Sequence, residues 1–447
     1  MKYHNHIIND PIHGIMDFTS EQNKLIKKYI DTDLFQRLRR IKQLGCADYV
    51  FPGATHTRFS HSLGACYLAK NLCEYLGKDI GNKDDMQSII LATLLHDIGH
   101  GPFSHSFENI LNNDLPDKKK LSHDKGWLFK FLDVFKSIDS KYAEEISLVE
   151  DIFNNKSDYK KDIVSSQLDV DRLDYLMRDS HFCGVPYGNI DLKWILNSLQ
   201  IITKNNNKFL AIKSEGIGAV EHYLSARRLM TKNIYHNPKI CSGQYYIKEF
   251  ISSLEDHLDS KDELLINSNL MKFMKKYFDY RDNDKINQSD FINDTFDIYK
   301  ELTDDDIIMK IKLINQLKPK TKSYEISQAL LKRKLPICHQ LNSEKLEDSE
   351  AIINDYKNKL PANQRWKIHI DKFNIQTYKS KNNPIYVTKN DLTSNIQYES
   401  GILNYHSNKD EAVLLLYIDS TIDKHEEIKK TLNSKNCFLF PYKNNNV

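Results

Sequence analysis

Through the first 260 positions apolar residues recur at three- and four-residue intervals, the spacing of one face of an α-helix. Leu34, Leu38, Ile41 and Leu44 predict a helix over 33–44, with Gly45 as its stop. Leu63, Tyr67, Leu68 and Leu72 predict another over 60–76, ended by Gly77. The stretch 84–97 is apolar nearly all round in its second half, as in a helix buried on every side. Further helices are predicted at 121–135, 142–153, 169–179 and 216–235. Two alternating runs, 198–203 and 208–213, flank Asn205-Asn206-Asn207 and predict a β-hairpin. From 256 to 306 Asp, Lys and Asn accumulate and the helical period weakens. Strand-like runs follow at 366–370, 384–388 and 413–418, then a helix at 424–433. The pattern predicts a mainly α protein: a helical core with a small β-hairpin over 1–260, and a C-terminal helical and α+β lobe over 261–447.

Composition narrows the class. The 447 residues are 40% hydrophobic, with 24 Tyr and 20 Phe, enough to exclude wholesale disorder. Basic and acidic side chains number 63 and 61, so no global field steers the chain to nucleic acid or an anionic membrane. The longest apolar runs, 89–95 and 412–418, fall far short of the ~20 residues a membrane span requires. No charged-then-apolar leader pattern opens the sequence. Seven scattered cysteines without a CxxC pair read as free thiols in a reducing compartment. A cytoplasmic protein without a membrane partner is the expectation.

Candidate chemistry gathers in three segments. His96 and Asp97 end the most apolar helix, where a carboxylate is costly unless it is paired or bound to metal. An imidazole and a carboxylate both suit Mn, Fe or Zn, although a helix-capping pair is the commoner meaning of this dipeptide alone. Arg58 and His61 open the 60–76 helix, at the donor-rich end suited to an anion. On the 169–179 helix Asp171, Tyr175 and Asp179 stand at i, i+4 and i+8, while Asp174 and Arg178 form an i,i+4 pair. Each segment alone also reads as ordinary packing or a solvated face.

Together they spell H…HD…D, which resembles the HD-domain phosphohydrolases, whose helical core holds a metal between two His and two Asp. Asn9-Asp10-Pro11-Ile12-His13-Gly14, Phe35-Gln36-Arg37-Leu38-Arg39, Tyr49-Val50-Phe51-Pro52-Gly53-Ala54 and His96-Asp97-Ile98-Gly99-His100-Gly101-Pro102-Phe103-Ser104-His105 narrow the likeness. They resemble the deoxynucleoside-triphosphate triphosphohydrolases, strongly over 6–200, moderately at 215–240 and thinly beyond. Animal members add a sterile-alpha-motif domain, which is not expected here.

The resemblance implies an enzyme in which water attacks the α-phosphorus of a dNTP and releases deoxynucleoside and triphosphate. It implies a divalent metal (Mn, Fe or Zn) on His61, His96, Asp97 and Asp171, with Mg on the substrate phosphates. Arg58 matches a contact to the α-phosphate, and His105 the proton donor to the leaving oxygen, its ring held by Glu108. His100 and His123 match further phosphate-side histidines, and Arg172 and Arg227 phosphate-contacting cations. Gln43, Leu44, Tyr175, Asp179 and Tyr235 match the sugar-reading residues, Tyr235 leaving no room for a 2′-hydroxyl. Tyr235-His236-Asn237-Pro238 departs from the family's Tyr-x-His, which leaves the base preference open. The animal member is a tetramer activated by guanine nucleotides bound between subunits, so a homo-oligomer (dimer or tetramer) and a GTP or dGTP activator are the expectation. Asn9, Asp31, Gln36, Arg39, Val50 and Phe51 match that allosteric nucleotide site. His6, Trp194, Ala219 and Pro238 replace its basic and polar phosphate contacts.

Two rivals stand beside this reading. Another HD-type nucleotidase would release orthophosphate. A nucleotide-sensing or nucleic-acid-binding protein would draw on clusters such as Lys118-Lys119-Lys120 and Lys332-Arg333-Lys334, though such runs are usually solvated faces.

Overall fold

The computed structural model describes residues 7–19, 24–113, 115–138, 140–154, 158–204, 206–380, 383–390, 392–406 and 411–439. Helices dominate, with three small sheets. The chain divides into two compact units, each drawing on segments from both sides of residue 260. The first comprises 1–230, 267–307 and 377–408; the second comprises 231–266, 308–376 and 409–447.

The first unit is built around the Arg58–Leu76 and Lys83–Leu95 helices, which pack against each other and against Val170–Cys183 and Ser140–Asn154. The Lys83–Leu95 helix is buried without interruption from Ser88 to Leu95, as its all-round apolar sequence requires. A capping box of Asn82 and Asp85 starts it. Gly77, at φ 55°, ends the helix before it.

The predicted 33–44 helix is broken. Helical backbone runs only over Asp33–Gln36, tightens to a 3-10 turn over Arg37–Arg40, and becomes extended at Ile41. The cause lies outside the local pattern: Arg37 is buried and donates to the carbonyls of Ile98, His100 and Leu302 at 3.0, 2.7 and 3.4 Å. Burial lowers its guanidinium to about 10. Lys42 then bridges antiparallel to Thr57. In the predicted 121–135 helix, 123–127 is instead a wide π-type turn leading into Leu128–Ile138. The predicted 216–235 helix likewise ends at Met230, before a second such turn, Thr231–Tyr235.

The polar 256–306 stretch is more helical than its composition suggests, with helices Asn269–Asp282 and Gln288–Tyr299. Both belong to the first unit, where Tyr299 stacks on Trp127 at 3.7 Å between ring centroids, and its hydroxyl donates to the Gly99 carbonyl at 2.9 Å. Asp304 accepts from the backbone N–H groups of Phe103 and Lys42 at 2.6 and 3.0 Å. The 96–104 loop is thus held by residues two hundred positions downstream. Gly99 is obligatory there, since a Cβ would meet the His123 carbonyl oxygen at 2.2 Å.

The predicted hairpin forms, as Leu199–Lys204 antiparallel to Asn207–Lys213, with Leu199 opposite Ile212; Asn205 lies outside the described residues. It has more partners than expected. Tyr386–Lys389 joins in parallel and Leu392–Asn395 follows, so the strand predicted at 384–388 belongs to this sheet in the first unit and not to a C-terminal lobe. Ile7–Asp10 and Gly14–Asp17 form a separate two-stranded ribbon.

In the second unit Glu411–Ile418 is the middle strand of an antiparallel sheet, between Ile337–Leu341 and Ile368–Ile375. Its run of apolar residues fits a strand covered on both faces. Helices Leu346–Lys359 and His425–Ser434 join one core through Ile353, Ile428 and Leu432 against Ile368, Leu414 and Leu416. On the other side Tyr245, from Pro238–Ser252, stacks on Tyr417. Trp366 falls in the 3-10 turn Ala362–Lys367 ahead of the strand predicted at 366–370. No described helix is long and apolar enough to cross a membrane.

Candidate active site

The N-terminal half of Arg58–Leu76, the turn ending Lys83–Leu95 and the first turn of Val170–Cys183 deliver His61, His96, Asp97 and Asp171 to one corner. Asp171 Oδ1 lies 3.0 Å from His61 Nε2 and 3.4 Å from His96 Nε2, and the two Nε2 atoms are 3.3 Å apart. Asp97 comes within 3.4 Å of His96 and 3.6 Å of His61. Donors ~2.0–2.2 Å from one ion lie roughly 2.9–3.5 Å apart at octahedral or tetrahedral angles, so the spacing of His61, His96 and Asp171 fits a single cation, with Asp97 beside it.

The tautomers point the same way. His96 Nδ1 is 2.6 Å from the Thr93 carbonyl, and His61 Nδ1 is 2.8 Å from Asp174 Oδ2. Both partners only accept, so each ring carries its hydrogen on Nδ1 and turns a lone pair on Nε2 toward the other. Two facing lone pairs beside two carboxylates call for a positive charge. Where a proton stands in for it, burial works against protonation, but Asp171, Asp174 and Asp97 prevail and raise His61 to about 10. Asp97 is held well below the usual carboxylate range, burial being outweighed by Arg58, His96 and His100.

Asp174 is the residue the sequence reading missed. The predicted i,i+4 pair with Arg178 forms, at 2.8 and 2.9 Å, but Asp174 is fully buried and its oxygens also take His61 and His13 Nε2, the latter at 2.6 Å. Arg178 in turn reaches Asp10 at 2.8 and 3.2 Å. Gly64 makes room for this network, since a Cβ there would sit 2.1 Å from Asp174 Oδ1. The Asp10–Gly14 motif was the available signal, but its partners are remote in sequence.

Beside the corner stands a second constellation. Arg58 donates to Asp97 Oδ2 at 2.5 Å and to Ser104 Oγ at 2.7 Å. Phe103 and Ser104 both take left-handed backbone, φ 54° and 59°, a strain that turns the Ser104 hydroxyl toward Arg58 and starts the His105–Asn112 helix. His100 and His123 stack at 3.7 Å, and His105 meets both edge-on at 4.8 and 5.0 Å. His100 Nδ1 is buried without a hydrogen-bond partner. Glu108 hydrogen-bonds His123, not His105 as the spacing predicted, because the wide 123–127 turn brings His123 across the helix. The protein packed around it, then the charges of Arg58 and His123, push His105 below the ordinary imidazole range, although the residue itself remains exposed.

Farther round, Arg172 donates to the Ser166 carbonyl and to Asp169, its Nη1 lies 3.4 Å from the Tyr175 hydroxyl, and the Tyr175 ring lies 6.4 Å from that of His61. Arg227 donates to the Thr377 carbonyl at 3.0 Å. Gln43 and Leu44 follow the Ile41 break; the Gln43 N–H bonds the His56 carbonyl, and its buried Oε1 has no partner. Asp179 is buried and pairs with His56 Nε2 at 2.7 Å. Tyr235 lies in the second unit.

Of the residues matched to an allosteric site, Gln36 accepts from Arg39 Nε at 2.7 Å, and the Arg39 guanidinium lies 3.5 Å over the Phe59 ring. Asp31 is exposed, Asn9 sits on the Ile7–Asp10 strand, and Val50 and Phe51 follow the Gly45–Tyr49 turn. Trp194 is half exposed, its indole donating to the Glu215 carbonyl. Ala219 lies on Ile217–Met230, Pro238 opens a helix of the second unit, and His6 lies outside the described residues. Among the basic runs, Lys119 is no nucleic-acid contact: its buried ammonium donates to the carbonyls of Tyr280 and Asn283.

Residues 58–179 match the HD domain family. The chain is similar to protein YwfO of Bacillus subtilis, 32% identical over 251 residues, with 55% of each chain covered. It is also 33% identical over 266 residues to the deoxynucleoside triphosphate triphosphohydrolase SAMHD1 of Homo sapiens, covering 52% of this chain and 42% of that one. The chain thus spans about half the length of these two relatives. A phosphohydrolase from Bacteroides thetaiotaomicron superposes with a TM-score of 0.74 at 26% identity, covering 92% of this chain and 99% of that one.

Proposed function

We propose that this protein is a metal-dependent triphosphohydrolase that cleaves deoxynucleoside triphosphates into deoxynucleoside and triphosphate. The observation that carries the proposal is the adjacency of a cation corner, His61–His96–Asp97–Asp171, to a three-histidine wall, His100–His105–His123, with Arg58 between them. One part suits an activated water, the other an anion and its leaving oxygen. A divalent ion on the four ligands would lower the pKa of a bound water toward neutrality.

Arg58, fixed by Asp97 and Ser104, offers its remaining donors to the α-phosphate. Arg172 and Arg227 supply charge for the outer phosphates, where Mg would accompany the substrate. His105, open to solvent on the wall, donates its proton to the departing 5′-oxygen; an arriving polyanion raises its pKa from the low value set by Arg58 and His123. The partnerless Oε1 of Gln43 accepts from the 3′-hydroxyl, near the paired Asp179, with Leu44 and Tyr175 shaping the sugar pocket. In this reading the Gln36–Arg39 pair and Asp31 read a guanine nucleotide, with Asn9, Val50 and Phe51 around it, in an oligomer.

The test is an assay of dNTPs against NTPs with Mn, Fe, Co and Mg varied, and chromatography of the products. Deoxynucleoside with inorganic triphosphate is the expected result. Orthophosphate release would assign the site to a nucleotidase. Equal rates with and without GTP or dGTP would remove the activator from the proposal.

A further inference from the structure

The N-terminal ribbon is fastened to the cation corner. Its turn, Asp10 to Gly14, is organised by Asp10 Oδ1, which accepts from the N–H groups of Ile12 and His13 at 2.9 and 3.0 Å. Gly14, at φ 69°, closes it. From that turn two side chains run inward. His13, its side chain only 4% exposed, donates from Nε2 to Asp174 Oδ1, and Asp10 takes both terminal nitrogens of Arg178. Asp174 passes the constraint on, since its other oxygen receives His61 Nδ1. Remove the ribbon and Asp174 loses one donor and Arg178 its second carboxylate, both in a fully buried place.

From this geometry we propose that His13 is a positioning residue for the cation site. By fixing the Asp174 carboxylate it fixes the ring of His61, so docking of the ribbon and ion affinity are linked. The inference rests on the metal reading of His61, His96, Asp97 and Asp171. Groups that orient a ligating imidazole typically change metal affinity about 10- to 100-fold. Linkage is reciprocal, so a bound ion also favours the docked ribbon.

The experiment is Mn2+ binding by equilibrium dialysis with the full chain: wild type, His13→Ala, His13→Gln and, as control, His96→Ala. The Gln amide nitrogen reaches about where His Nε2 lies. His13→Ala is expected to weaken Mn2+ binding at least tenfold, His13→Gln to recover most of it, and His96→Ala to bind none. As a second readout, backbone amides of Ile7–Asp17 in wild type should exchange more slowly with Mn2+ than without. A purely structural role for His13 would lower thermal stability and leave the Mn2+ affinity unchanged, which overturns the proposal. So does unchanged amide exchange on adding Mn2+. If wild type and His96→Ala bind Mn2+ alike, the metal reading fails and this inference falls with it.

Discussion

His61 and His96 each commit one ring nitrogen to an acceptor and leave the other bare, so their value to the site lies in the lone pair. His96→Ala removes a ligand that, among the described residues and outside the corner, bonds the Thr93 carbonyl of its own helix. Turnover is expected to fall below detection while the melting temperature without metal shifts by a few degrees at most, checked by dNTP hydrolysis beside thermal unfolding in chelator. Asp97 is a harsher position, because its loss would leave buried Arg58 without its carboxylate. Gly64→Ala tests the network behind His61. The added methyl would overlap Asp174 and Arg178, and a loss of roughly 2–4 kcal/mol is expected by denaturant unfolding, as for overpacked cores with displaced polar groups.

Among the elements, the loop from His96 to Ser104 matters most, because it carries a cation ligand at one end and a left-handed serine at the other. It is wedged against the 123–127 turn at Gly99. Gly99→Ala is expected to part the loop from His123 and cut turnover more than a hundredfold, while His96→Ala alone loses metal; measuring turnover and Mn2+ binding together separates the two effects. This scale also shows what the sequence could tell. The long helices were legible because their apolar faces are local patterns, and the His, Asp and Arg side chains of the corner were legible as motifs. The end of helical backbone at Arg40 was not, since Leu34, Leu38, Ile41 and Leu44 keep helical spacing while a buried Arg37 reaches carbonyls some sixty residues away. Asp174 stayed hidden for the same reason: His13 and His61 lie 161 and 113 positions from it. The Glu108 assignment failed because i,i+3 spacing within a helix said nothing of a turn arriving from outside it.

At the scale of the whole molecule, stability should respond to pH through buried carboxylates away from the site. Burial raises Asp162 from 3.8 to about 6, against one backbone hydrogen bond from Leu210 at 3.1 Å. Its folded pKa exceeds its unfolded one, so the folded state holds the proton more tightly. Its contribution is therefore complete below about pH 4 and lost as pH rises through 6. Asp162→Asn keeps an acceptor for Leu210 and is expected to stabilise the protein by on the order of 2 kcal/mol at pH 8 and by nothing at pH 4, read from urea unfolding at both.

The clamp on the His96–Ser104 loop by Tyr299 and Asp304, with Leu302 accepting from Arg37, has a practical corollary. A polypeptide cut after the matched 58–179 segment, or even at residue 260, would retain every proposed ion ligand and every histidine of the wall. It would also strand the Gly99 carbonyl and the Phe103 amide in the interior and take one acceptor away from Arg37. Such a piece would carry the side chains of the proposed site without the packing that holds them, so the site depends on more of the chain than the 58–179 segment.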